Sequence, residues 1–117
     1  MENAIGRLSD VLKQEKNEYI RDSAIQRFEF TFELVWKTLK AYLREQGILV
    51  ATPRESLKGA YKAGLIRDDE NWLETIRLRN LASHTYDEAT AEQFYVALPA
   101  ILILYEDLLR ELKERSS

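Results

Sequence analysis

The chain has no cysteine among its 117 residues, so a disulfide framework, a thiolate metal site and a cysteine nucleophile are all excluded. Only two prolines and four glycines occur, so few positions break regular secondary structure. No apolar run approaches the roughly 20 residues that span a bilayer, and no apolar segment follows Met1–Arg7 as a signal peptide requires. We therefore expect a cytoplasmic protein that does not contact a membrane.

An excess of charge of one sign is also missing. The 17 Lys and Arg residues stand against 20 Asp and Glu residues, which gives a net charge of -3. A surface that coats nucleic acid needs a basic excess, so the composition argues against such a surface. It leaves room for a small site that holds one or two phosphates.

Motifs for metal or nucleotide chemistry are absent from the sequence. His84 is the only histidine, and no H-E-x-x-H pattern or other His/Cys cluster supports a zinc site. No G-x-x-x-x-G-K-[ST] loop is present. A nucleotidyltransferase needs acidic metal ligands carried on strands, and the sequence has no strand pattern. We therefore predict no metal and no cofactor, and we do not expect the chain itself to be a nucleotidyltransferase.

The apolar spacing predicts an all-α fold, with one helical domain over residues 1–117. The expected architecture is an antiparallel up-and-down four-helix bundle with one short inserted helix. The first helix is predicted over residues 2–19, and the second runs from Ser23 to about Gln46. A capping box of Ser23 and Gln26 would start the second helix, and Gly47 would end it.

The remaining helices are marked by capping residues. Thr52, Pro53 and Glu55 predict the start of the short inserted helix, and Gly64 predicts its end. The third long helix is predicted to begin at Asp68–Asp69 and to carry residues 79–86. Asp87 or Thr90 would cap the last helix. Its core stripe is Phe94, Leu98, Ile101, Tyr105, Leu108 and Leu112.

The second helix is apolar on two sides. Phe30 and Leu34 lie roughly opposite its core stripe, at about 200° around the helix. A helix that is apolar on two sides is usually covered on two sides, so we predict that Phe30 and Leu34 form a homodimer interface. The alternative is that both residues pack on the inserted helix. The core stripe itself is Ile25, Phe28, Phe32, Val35, Leu39 and Tyr42.

The segment Arg79–Tyr86 carries most of the chemistry in the sequence. Arg79 offers a permanent cation whose fork matches phosphate oxygens, and His84 can exchange a proton near neutral pH. Continued as a helix, the segment would place Asn80 and Ser83 on the same side as these two residues. Each chain has a single histidine, so a base and an acid together would require a symmetric dimer. The alternative is that His84 merely caps a helix end.

Four segments together resemble the nucleotidyltransferase substrate-binding protein family, which belongs to the HEPN superfamily of helical bundles. They are RFEFTFELVWK at Arg27–Lys37, Pro53–Glu55, Gly64–Ile66 followed by Trp72, and RNLASHTY at Arg79–Tyr86. The resemblance covers essentially the whole chain in order. It implies a homodimer that pairs with a small, separately encoded nucleotidyltransferase.

The resemblance also implies roles for single residues. In related HEPN toxins of the HepT type, the R-x4-H-x-Y motif is a metal-independent endoribonuclease site, and the partner transfers AMP to the motif tyrosine. By this resemblance Arg79 would bind the phosphate of RNA, His84 would be the general acid or base, and Tyr86 would accept the nucleotide. Asn80 would orient Arg79 or the substrate.

Three functions therefore follow from the sequence. The first is a ribonuclease in a two-gene toxin–antitoxin-like module with the nucleotidyltransferase. The second is a non-catalytic substrate-binding subunit that completes the nucleotidyltransferase. The third is a helical dimerisation module without site chemistry.

Overall fold

The computed structural model describes residues 1–67 and 70–116, which form helices and no strand, as the apolar spacing predicted. The helix α2 packs against α1, α3, α4 and α5, and it is the central element. The elements in chain order are α1 (Glu2–Leu12), α2 (Glu18–Glu45), α3 (Pro53–Lys62), α4 (Glu70–Leu81), a 3-10 helix (Ala82–His84) and α5 (Glu88–Ser116).

The boundary between α1 and α2 differs from the prediction. Instead of a helix over residues 2–19, α1 ends at Leu12, and α2 begins at Glu18. Asn17 is extended and its side chain accepts a hydrogen bond from the Ile20 amide at 2.8 Å, so Asn17 is the cap. The predicted box at Ser23 and Gln26 is therefore wrong, and both residues lie inside α2.

The predicted stripes of α2 and α5 form the largest part of the core, and residues of α1, α3 and α4 complete it. Phe28 meets Phe94 edge-on at 5.4 Å between ring centroids and stacks on Tyr105 at 6.4 Å. Trp72 of α4 is buried and also packs on Tyr105, at 5.9 Å between ring centroids, whereas Trp36 is only partly buried. The end of each predicted stripe, Tyr42 and Leu112, is also only partly buried.

The predicted capping residues of α3 are confirmed. The Thr52 side chain accepts from the Glu55 amide at 3.2 Å, and Pro53 occupies the first helical position. Gly47 after α2 and Gly64 after α3 both have positive φ, at 81° and 75°, which favours glycine at these turns. The predicted start at Asp68–Asp69 lies outside the described residues.

The start of the last helix confirms one of the two predicted capping residues. Asp87 accepts from the Thr90 amide at 3.1 Å, so Asp87 caps α5. The helix then runs on to Ser116. Within residues 1–67 and 70–116, no helix combines the length and the apolar character needed to cross a bilayer.

Candidate functional site

The segment from Arg79 to Tyr86 runs across the junction between α4 and α5. Arg79 lies in the last turn of α4, His84 ends the 3-10 helix, and Tyr86 lies in the turn before α5. The predicted continuous helix through this segment is therefore wrong. The backbone tightens after Leu81, and the Thr85 hydroxyl donates to the Ala82 carbonyl at 3.0 Å instead of extending the α-helix.

All five predicted site residues are accessible. His84, Asn80 and Ser83 are exposed, Tyr86 is 84 % exposed, and the side chain of Arg79 is 47 % exposed. A histidine buried among apolar side chains would have favoured a purely structural role, and His84 is not in such a place. The segment can therefore meet a ligand from solvent.

The structure brings two of these residues side by side. The rings of His84 and Tyr86 lie 6.3 Å apart between centroids, tilted by 57°. A group attached to the Tyr86 hydroxyl would therefore lie close to the imidazole. No hydrogen bond joins Arg79 to His84 within the described part of the chain, so one chain by itself does not link the two by direct contact.

Arg79 points to the side of α2, where it meets Glu33. Its Nη2 donates to Glu33 Oε1 at 3.4 Å, and its guanidinium lies 5.7 Å from the centre of the Phe32 ring. The other Glu33 oxygen accepts from Trp36 Nε1 at 3.0 Å. Glu33 is thus a residue of the site that the sequence did not single out. The only sequence signal was a carboxylate inside the aromatic run Phe28–Trp36.

The predicted dimer residues lie on the same helix as Glu33. Phe30 is 66 % exposed and Leu34 is half-buried. Both border a shallow groove whose other wall is formed by Met1 and residues of α1, and no described residue of α3 lines this groove. Phe30 and Leu34 lie about 60° and 100° from Glu33 around α2. The exposed apolar face therefore adjoins the carboxylate that holds Arg79.

The start of α5 is fixed by a second arginine. Arg21 is 4 % exposed, and its guanidinium donates to both oxygens of Glu88, at 2.6 and 3.2 Å, and to Glu92 at 3.1 Å. These hydrogen bonds hold the pKa of Glu88 below its ordinary value. Because Glu88 follows Tyr86 by two residues, this cluster anchors one end of the turn that carries the tyrosine.

Groups for a metal site are not gathered anywhere in residues 1–67 and 70–116. No set of three or more His, Asp or Glu side chains lies close enough together to hold an ion. The chemistry that the site residues themselves offer is a guanidinium fork for phosphate, an imidazole for proton transfer and a phenol hydroxyl for modification.

Comparison with known proteins places these residues in context. Residues 1–114 match the model of a family described as nucleotidyltransferase substrate binding protein like. The chain is 35 % identical over 98 residues to the Haemophilus influenzae protein named "Probable ribonuclease HepT", covering 80 % of this chain and 67 % of that protein.

Two solved structures share the fold closely. A protein from Thermus thermophilus has a TM-score of 0.90 and 39 % identity, covering 95 % of this chain and 97 % of its own. A Haemophilus influenzae protein has a TM-score of 0.84 and 27 % identity, covering 96 % of each chain. The second is described as revealing the fold of a substrate binding domain of a nucleotidyltransferase.

Proposed function

Because this chain belongs to the nucleotidyltransferase substrate-binding-like family, we propose that it is the partner subunit of a small, separately encoded nucleotidyltransferase. We propose further that it cleaves RNA without a metal at Arg79 and His84. The two proteins would then form a toxin–antitoxin-like pair. A relative named as a probable ribonuclease supports the second part, and a fold neighbour described as a substrate binding domain of a nucleotidyltransferase supports the first.

The chemistry is a transesterification within RNA. A base removes the proton of a ribose 2′-hydroxyl, the oxygen attacks the adjacent phosphorus, and the 5′-oxygen leaves with a proton from an acid. The products are a 2′,3′-cyclic phosphate and a free 5′-hydroxyl. Arg79 would hold the phosphate and stabilise the charge that develops on it, while His84 would transfer a proton.

A second histidine would come from a second copy of the chain. We propose a homodimer of four-helix bundles, each with α3 inserted, that meet through Phe30 and Leu34. The exposure of Phe30 and its position beside Glu33 support this arrangement. A symmetric contact there would bring two copies of Arg79 and His84 towards one cleft, which supplies both a base and an acid.

The observation that carries the proposal is the accessibility of the arginine and the histidine: Arg79 is half-exposed and His84 is exposed, five positions apart in the chain. The test is RNA cleavage by the purified chain, beside Arg79→Ala and His84→Ala. We expect both variants to lose about 100-fold or more in rate. Arg77→Ala is the matched control, because Arg77 is a similarly exposed arginine on α4, two residues before Arg79. Equal rates in all four proteins would refute cleavage at this site.

A second function is favoured by the exposure of Tyr86. As the substrate of the partner enzyme, its hydroxyl would attack the α-phosphorus of ATP, release pyrophosphate and retain AMP. The added phosphodiester would lie beside the imidazole of His84 and exclude an RNA phosphate. Intact mass after incubation with the partner and ATP tests this. We expect one AMP per chain in the wild type and in Tyr19→Phe, whose tyrosine is equally exposed, and none in Tyr86→Phe.

A further inference from the structure

The carboxylate of Glu33 is shared between an indole of its own helix and the arginine of the site. We propose that Glu33 is the positioning residue for Arg79: it orients the guanidinium over α2 while the remaining donors of the guanidinium bind a phosphate of the ligand. This inference rests on the proposed phosphate-binding role of Arg79. It adds to the motif a residue that lies 46 positions before Arg79 in the chain.

A hydrogen bond from Trp36 restrains the carboxylate of Glu33. Trp36 follows Glu33 by three residues on α2, and its Nε1 donates to Oε2 at 3.0 Å. Residues three apart on a helix face each other, so this bond holds the carboxylate in one rotamer. The free oxygen, Oε1, is then directed at Arg79.

The guanidinium of Arg79 is held from a second side by Phe32. The centre of the Phe32 ring lies 5.7 Å from it, and Phe32 is itself only 4 % exposed, packed against Phe28 in the core. A buried ring and a tethered carboxylate together restrict a long side chain that would otherwise move freely in solvent.

The ion pair also leaves most donors of Arg79 available to a ligand. Its single hydrogen bond is long, at 3.4 Å, and both side chains are about half-exposed, at 47 % for Arg79 and 40 % for Glu33. Solvent weakens such a pair. A guanidinium has five N–H donors, so a phosphodiester can accept two shorter, parallel hydrogen bonds from donors of Arg79 that Glu33 leaves free. By contrast, Glu74 binds Arg77 through both carboxylate oxygens elsewhere on α4.

The test compares Glu33→Ala and Trp36→Phe with the control Glu74→Ala. If Glu33 positions Arg79, Glu33→Ala lowers kcat for RNA cleavage about tenfold. KM stays unchanged or falls, because the negative charge of Glu33 no longer repels the phosphate of the RNA. Trp36→Phe keeps the aromatic bulk and shows a smaller fall of kcat, while Glu74→Ala changes neither constant. If Glu33→Ala retains the wild-type kcat or exceeds it, or if Glu74→Ala falls equally, the proposal is overturned.

A second measurement separates this proposal from the proposed ribonuclease function. The side-chain Nε–Hε NMR signal of Arg79, assigned by its loss in Arg79→Ala, reports the guanidinium environment without any catalysis. We expect Glu33→Ala and Trp36→Phe to shift it, Glu74→Ala to leave it in place, and inorganic phosphate to shift it in the wild type. A signal unmoved in Glu33→Ala refutes positioning by Glu33. A chain that cuts no RNA but shows these shifts refutes the ribonuclease alone.

Discussion

Two of the arginines that join α2 to its neighbours, Arg21 and Arg79, have opposite surroundings. Arg21 is buried at the start of α2 and binds three carboxylates, two of them on α5. Arg79 reaches α2 from α4, is half-exposed, and has Glu33 as its one carboxylate partner among the described residues. A buried guanidinium must use its donors on the protein, whereas an exposed one keeps donors for a ligand. The comparison separates an arginine that holds the fold from one that is available for function.

The largest expected effect comes from removing the exposed arginine. We expect Arg79→Ala to lower the rate of RNA cleavage by about 100-fold or more. The stability should change by less than about 1 kcal/mol, because a half-exposed ion pair contributes little. Cleavage kinetics and thermal unfolding on the same samples check both. A large fall in Tm would mean that Arg79 supports the fold and would remove the contrast with Arg21.

Phe30 and Leu34 form the exposed apolar face beside Glu33, where we propose that a second copy of the chain binds. We expect Phe30→Asp to weaken self-association by about tenfold or more, since it places a charge in the centre of an apolar contact. Sedimentation equilibrium measures this. Val96→Asp on α5 is the matched variant, because Val96 is 74 % exposed but lies on a different helix from Phe30. Dissociation by Val96→Asp alone would move the interface to α5.

Removing the buried Arg21 should lower stability and leave RNA cleavage in place, which is the reverse of the effect expected for Arg79→Ala. Arg21→Met leaves Glu88 and Glu92 without their shared partner, so we expect a clear fall in Tm. RNA cleavage per folded molecule should persist at temperatures well below that Tm. Arg110→Met is the control, since Arg110 is exposed and pairs with the exposed Asp107. Unchanged stability in Arg21→Met would show that the cluster is not structural.

The pH dependence of stability also tests the structural role of Arg21. Hydrogen bonds from Arg21 lower the pKa of Glu88, and those from Lys16 and then Arg21 lower the pKa of Glu92, from an ordinary value of 4.5. A lowered folded-state pKa gives stability that is present above pH 4.5 and is lost as pH falls through the folded-state value. We expect the wild type to lose more stability than Arg21→Met below pH 4.5. Parallel curves would contradict the assigned role of Arg21.

The smallest expected effect concerns a buried polar group with no partner. The hydroxyl of Tyr105 is buried and makes no hydrogen bond within the described residues, and burial raises the pKa of Tyr105. Tyr105→Phe removes that hydroxyl and keeps the ring stack on Phe28. We expect the free energy of unfolding to change by less than about 1 kcal/mol, or to rise. A loss above about 2 kcal/mol would reveal a partner for the hydroxyl.

The sequence predicted those parts of the fold that depend on neighbours along the chain. Periodic spacing located Phe28, Phe94 and Tyr105 in the core, and local capping rules located Thr52 and Gly64. These signals lie within a few residues of the feature they determine, so they can be recognised without the tertiary structure.

The wrong or missing predictions depend on distant residues. The second helix was predicted to begin at Ser23, but Arg21 already lies inside α2, where Glu88, 67 positions later, stabilises it. Residues 13–17, which are all polar, form the real break. Glu33 was missed for the same reason, since its partner Arg79 lies on another helix. The family motif, by contrast, was found from sequence because its residues are contiguous.

The most direct measurement of the proposed function uses an RNA that carries one 2′-deoxy nucleotide at a mapped cleavage position. If Arg79 and His84 act through the 2′-hydroxyl of the RNA, cleavage at that position disappears and neighbouring cuts continue, each leaving a 2′,3′-cyclic phosphate. His84→Ala should make none of these cuts. Cleavage at the deoxy position, or an unchanged pattern in His84→Ala, would contradict the assignment.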